Sequence, residues 1–233
     1  MTVHVVQHTA GEFLGLIEDH LEGRGVRFRY CRPFAGKTPL PNAAELDDGL
    51  ILLGGGPWGS AGVRDVPTLG GEIALAKAAL AQGKPIVGIG LGAQILATAA
   101  GGRAAPAPFE FSVLTARREG GHVLGGYLPQ EYPVATYMRD WPVPPADAEV
   151  LARDERNRAV FWQVGANAFG FAGHPGLKIG MVEDLVMEFE DVPPDLEAGL
   201  GKLRAVQRAL EDALVPIMTG LVQRTGWIKA PGR

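Results

Sequence analysis

A chain of 233 residues, 46% of them hydrophobic, can bury roughly 70–75% of the surface its unfolded form exposes, which is enough for one substantial domain, and no linker divides it. A net charge of −4 with scattered Lys and Arg leaves no footprint for nucleic acid or for an anionic membrane surface. The longest apolar runs, such as "AVFWQVGANAFGFAG", are too short and too glycine-rich to span a bilayer, and Cys31 stands alone, which rules out an intrachain disulfide framework or a cysteine-rich metal site.

The chain enters a strand at once, "TVHVVQ", with no basic region, apolar segment or cleavage site before it, so a cytoplasmic location is expected. In "GEFLGLIEDHLEGRG", Phe13, Leu14, Ile17 and Leu21 fall on one helical face, and Gly23 and Gly25 supply the stop. "VRFRYCR" is a second strand, with Phe28 and Tyr30 on one side. A proline-rich loop then contains "AGKTP", residues 35 to 39, which ends like a phosphate loop. Cys31 stands where the leading glycine is required and no helical pattern follows, so a surface loop is expected. "GLILLGGG" reads as a buried strand, "VPTLGGEIALAKAALAQGK" as a helix starting near Pro67, and "PIVGIG" as another buried strand running into a helix.

This alternation predicts an α/β fold: an open, mostly parallel, flavodoxin-like sheet flanked by helices. Past Gly102, "FEFSVLTARR", "YPVATYM", "EVLARDE", "AVFWQVG" and "NAFGFAG" read as an antiparallel extension of the same domain. Beyond Leu177 come two helices, "MVEDLVMEFE" and one opening "LEAGLGKLRAV", parted by "DVPPD". Residues 1–190 are therefore expected to form the α/β domain, and 191–233 a C-terminal helical extension packed on it. Leu203, Val206, Leu210, Leu214 and Ile217 would cover the sheet in preference to forming a dimer.

Ligands of such sheets sit beyond the carboxyl ends of the strands, where both glycine-rich turns fall. "GIGLGA" has the spacing of a nucleophile elbow, G-x-Nuc-x-G, with Gly90 where a nucleophile would stand. "GGGPWGSAG" lacks G-x-G-x-x-G opening directly into a helix, which favours an oxyanion-type loop over dinucleotide binding.

"LILLGGGPWGS", "GKPIVGIGLGAQILATAAGG" and "FGFAGHP" resemble, in order and spacing, the class I triad-type glutamine amidotransferases, particularly the stand-alone group similar to the glutaminase domain of GMP synthetase. The likeness covers residue 1 to about residue 190. It implies a cysteine at position 90, a histidine at His174 and a glutamate at position 176, where this chain has Gly90 and Gly176. It also implies an oxyanion hole from Gly55 and Gly56 with the backbone N–H of Leu91, beside Gln94. Met138, in "TYMRDW", falls where a further histidine is often found, with Asp140 matching an aspartate, while Ala172 and Gly173 replace a glutamine and a phenylalanine.

Glycine offers no nucleophilic atom, and losing the nucleophile of a triad typically costs on the order of 10⁶ in rate, so ordinary glutaminase chemistry is not expected. Gly90 relieves elbow strain and leaves the turn in place, so amides of residues 91 to 94 are expected to face a pocket for a small carbonyl or carboxylate compound. His174 reads either as the remaining acid–base group, oriented by Glu110, Asp140 or Glu183, or as a histidine bonded to the main chain beside Pro175.

Tyr127, Tyr137 and Trp141 form an aromatic wall or pack in the core, and Trp58 forms a lid or packs. His8 ends the first strand on the pocket side, although a solvated loop histidine is the commoner outcome. His4, His8, His20 and His122 lack metal-ligand spacing, and no metal or cofactor is expected.

Three readings stay open: a repurposed non-covalent hydrolase, lyase or isomerase; a pseudoenzyme that binds a metabolite or a partner enzyme; and an ordinary amidotransferase altered from Cys to Gly at position 90. Against the third, Met138, Ala172, Gly173 and Gly176 depart from the pattern as well.

Overall fold

A computed structural model describes residues 1–36 and 39–228. Lys37 and Thr38 of the "AGKTP" loop lie outside the described residues. In chain order the strands are β1 (Thr2–Val6), β2 (Arg27–Cys31), β3 (Leu50–Leu52), β4 (Ile86–Ile89), β5 (Arg103–Ala105), β6 (Glu110–Arg118), β7 (Glu131–Met138), β8 (Trp141–Val143), β9 (Glu149–Asp154), β10 (Ala159–Val164) and β11 (Ala168–Phe171). The helices are α1 (Leu16–Glu22), α2 (Leu69–Ala81), α3 (Leu91–Ala99), α4 (Ile179–Glu188) and α5 (Leu196–Arg224).

A nine-stranded sheet runs β2-β1-β3-β4-β11-β10-β9-β6-β7, and β5 pairs with β8 in a separate ribbon. From β2 to β11 the neighbours are parallel. β3 and β4 are buried at every residue, as expected of parallel strands covered on both faces, and their side chains alternate between two apolar clusters.

Two expectations change. "NAFGFAG", grouped by its sequence with the antiparallel strands, supplies β11, which runs parallel to β4 on one side and antiparallel to β10 on the other. Where it joins the two halves, the Trp162 ring occupies the space a side chain at Gly170 would need, and the Phe161 and Phe171 rings stack at 4.1 Å. The second change lies before α1. The apolar period places Phe13 and Leu14 on the helix, but the helix opens at Leu16, after Gly15 at φ 59°, ψ −129°. That conformation admits glycine, and a Cβ at position 15 would overlap the Gly176 carbonyl. Residues 9–15 are therefore a loop, which sets the direction of Glu12.

α5 lays Leu203, Leu210, Leu214 and Ile217 into the interior and packs on β6, β7, α1 and α4. Among the described residues no helix is long and apolar enough to cross a membrane.

Candidate functional site

The turn between β4 and α3 is a sharp one. Gly90 sits at φ 55°, ψ −113°, donates to the Phe171 carbonyl at 2.9 Å and opens α3 by accepting from Ala93 and Gln94. A Cβ there would meet the Gly54 Cα at 3.4 Å and a Glu12 carboxylate oxygen at 4.0 Å, so space exists and the restriction is the dihedral angle. The expectation that amides 91 to 94 all face a pocket does not hold: Gly92 N–H goes to Leu53, and those of Ala93 and Gln94 turn back to Gly90.

Facing the elbow is a group that the sequence reading missed. Glu12 is 3% exposed, and its carboxylate accepts the Gly56 N–H at 2.8 Å. A Cβ at Gly54 would overlap this carboxylate, so a side chain there would have to displace Glu12 from its seat. Burial pushes the carboxyl up to about 7, against the opposing Gly56 N–H and His8. The loop that carries it is pinned along its length. Glu188 accepts from Ala10 and Gly11 at 2.9 Å each, Thr9 Oγ1 accepts from Glu12 N–H, and the Tyr30 hydroxyl accepts from Leu14 N–H. Sequence periodicity hid Glu12 by assigning it to a helix; the G-x-x-x-G spacing of Gly11 and Gly15 was the available warning.

His174 is 4% exposed, and main-chain groups take both ring nitrogens. Gly176 N–H donates to Nδ1 at 3.1 Å, so Nε2 carries the proton and donates to the Phe13 carbonyl at 2.7 Å. Burial pushes its pKa down to about 4, with the Phe13 carbonyl opposing. None of the suggested orienting acids is its partner. Asp140 accepts from Ser60, Ala61 and Ala107, Glu183 pairs with Arg204, and Glu110 lines a groove with Asp195 and Lys202 at the start of α5. At Gly176 a Cβ would lie 2.9 Å from the Ile17 backbone nitrogen, so a side chain there requires the α1 entry to move.

The remaining candidates brace the loops. Gln94, fully buried, accepts from the Ser60 hydroxyl at 2.7 Å and donates to the Arg139 carbonyl at 2.7 Å, with Met138 Sδ at 3.9 Å. Gly55 lies against Leu91 and Trp58, and Gly56 adopts φ 54°. The suggested aromatic wall is dispersed: Tyr127 is exposed, Trp141 lies under Arg158, and Tyr137 packs edge-on against Phe109 and Phe111.

His8, read as ending β1 on the pocket side with a solvated loop position the commoner outcome, is instead buried in an ion pair. Its Nε2 meets the Glu72 carboxylate at 2.7 Å and its Nδ1 meets the Gly54 carbonyl at 2.9 Å. Both partners accept, so both nitrogens carry protons. Burial alone would lower the His8 pKa, but Glu72, Gly54 and Glu12 more than offset that and raise it; His8 likewise lowers that of Glu72 against burial. Among the described residues no group of three or more His, Cys, Asp or Glu is arranged to hold a metal ion.

A doubly covered sheet with a glycine-rich loop after β3 and a sharp elbow after β4 defines an amidotransferase-like α/β protein. Residues 13–177 match the glutamine amidotransferase class-I family, and the chain belongs to it. It is 26% identical over 204 residues to YfeJ, a glutamine amidotransferase-like protein of Salmonella typhimurium, with 84% of each chain covered. Among solved structures it is similar to a glutamine amidotransferase from Methylobacillus flagellatus, at TM-score 0.76 and 21% identity over 100% of this chain and 97% of that one. A Thermotoga maritima glutamine amidotransferase gives TM-score 0.76 and 20% identity, covering 97% and 98%.

Proposed function

We propose that this chain is a glutamine amidotransferase-like protein without glutaminase activity, and that its cradle binds a small carbonyl or carboxylate compound without forming a covalent bond. The observation that carries this reading is the pairing of a side-chain-free elbow, Gly90, with a carboxylate, that of Glu12, seated on the Gly56 N–H. Glu12 stands in for the carboxyl group of a ligand, so the chain contains an internal occupant of its own cradle. The main-chain bonds on both nitrogens of His174 support the loss of the triad mechanism.

Incubated with glutamine, the wild-type protein is expected to release no ammonia, and Gly90→Cys alone is expected to stay silent because Glu12 and His174 remain committed. Ordinary enzymatic release by the wild type would overturn the first half of the proposal. For the second half, Glu12→Ala is expected to be stabilised saturably by propionate and not by chloride, since a ligand that binds only the folded state raises its melting temperature. A lack of response would leave the cradle without its ligand class.

One observation favours a second, enzymatic reading. A buried carboxyl near 7 is suited to carry a proton at neutral pH, so Glu12, rather than His174, would serve a non-covalent reaction of a small carbonyl compound. Turnover of such a compound by the wild type and none by Glu12→Gln would select it.

A further inference from the structure

The elbow is filled from within, but a second opening lies one strand away. β1 is flanked by β2 and β3, so the sheet order reverses there, and beyond the carboxyl ends of strands at such a switch point ligands of open α/β sheets gather. His8 follows β1, Phe34 follows β2 and Trp58 follows β3; with Pro33, Val66 and Thr68 they line a cavity of about 100 Å³. A dry apolar cavity of about 150 Å³ encloses one benzene, so this smaller space, open to one side, takes at most one small ring, inserted in part with its outer edge at the Phe34 rim.

Its walls are braced. The Trp58 ring carries the Arg64 guanidinium at 4.9 Å, and Arg64 is tied to Asp191, which also holds Arg139 at 2.9 Å. Phe34 keeps 46% of its surface exposed at the rim. The floor selects by charge. The His8–Glu72 pair is neutral overall and presents its imidazolium side to the cavity, which disfavours a cation. Both His8 nitrogens and the Thr68 hydroxyl already have partners, so neither of these side chains offers a free donor to an anion. An uncharged ring satisfies both conditions, its π-face meeting a cation and its edges meeting aromatic walls.

We propose that the crevice at the β1/β3 switch point is a binding site for a small uncharged aromatic ring, walled by Trp58 and Phe34 and floored by His8. The crevice adjoins the loop of the Gly90 cradle, since His8 bonds the Gly54 carbonyl and the Trp58 N–H donates to that of Gly55, but its lining includes neither Gly90 nor Glu12. Phenol is the probe, titrated into the full-length labelled chain and followed by NMR. Saturable shifts centred on Trp58, Phe34 and Val66 are expected. Val66→Trp, which fills the space, should weaken binding at least about tenfold by removing the ring's contacts. Benzoate and tetramethylammonium should bind at least about tenfold more weakly than phenol, since neither charge finds a free side-chain partner among the described lining residues. Phe34→Ala, at a half-exposed rim position, provides a folded variant should Val66→Trp not fold, and it too should weaken phenol binding. The absence of saturable shifts, unchanged affinity in these variants, or a preference for either ion would overturn the proposal. Glutaminase assays bear on the other site and leave this outcome unaffected.

Discussion

Two histidines, both nearly sealed from water, end in opposite charge states. His174 touches one main-chain donor and one acceptor, which fixes a neutral ring. His8 touches an acceptor on each side, one of them an ionised carboxylate, which fixes an imidazolium. Burial disfavours the charged form in both cases, so the partner decides. The histidine aligned with a catalytic role is held neutral by main-chain groups, and His8, for which a solvated loop position was the commoner expectation, carries a buried charge beside the glycine-rich loop after β3.

The largest expected effect comes from breaking the His8 side. Glu72→Ala strands an imidazolium in the interior and should destabilise the fold by about 3–5 kcal/mol, as measured by urea unfolding. If the loss is below about 1 kcal/mol, the range of a surface pair, His8 is not the charged partner described here.

Next in size is a pH test that sets His174 against Glu12. The folded pKa of His174, about 4, lies below its ordinary 6.5, so its contribution is complete above 6.5 and is lost as pH falls to 4. The folded pKa of Glu12, about 7, lies above its ordinary 4.5, so its contribution is complete below 4.5 and is lost as pH rises to 7. Each spans about 3 kcal/mol, and between 4.5 and 6.5 they oppose each other. Glu12→Gln should therefore uncover a stability that rises with pH across that window, where the wild type changes less from these two groups. Parallel profiles for the two proteins would show that Glu12 is not the buried acid inferred from its surroundings.

The smallest effect concerns the elbow. Gly90→Ala has room but must adopt φ near 55°, which should cost about 1–3 kcal/mol in a melting experiment. A neutral result would mean that the turn relaxes easily and is less sharply held than β4 and α3 imply.

Much of the scaffold was legible because it rests on local patterns. The buried runs of β1, β3 and β4 read as continuous apolar stretches, and α5 occupies the residues that its period marked, Leu196–Arg224. The elbow was legible as a spacing of glycines. Glu12 was not, because an apolar period extended across a loop that only the backbone conformation of Gly15 ends. Nor was the dispersal of Tyr127, Tyr137 and Trp141, since residues near in sequence diverge once β7 and β8 enter different sheets.

By itself the sequence determined most of the elements, though not β5, β8 or the start of α1, together with the sheet class and the absence of a nucleophilic side chain at position 90, since periodicity and residue identity act over a few neighbours. Only tertiary structure decided which carboxylate reaches Gly56, which acceptors surround His8 and which main-chain groups hold His174. Protonation and pocket contents depend on atoms brought together from distant parts of the chain, and no local pattern records them.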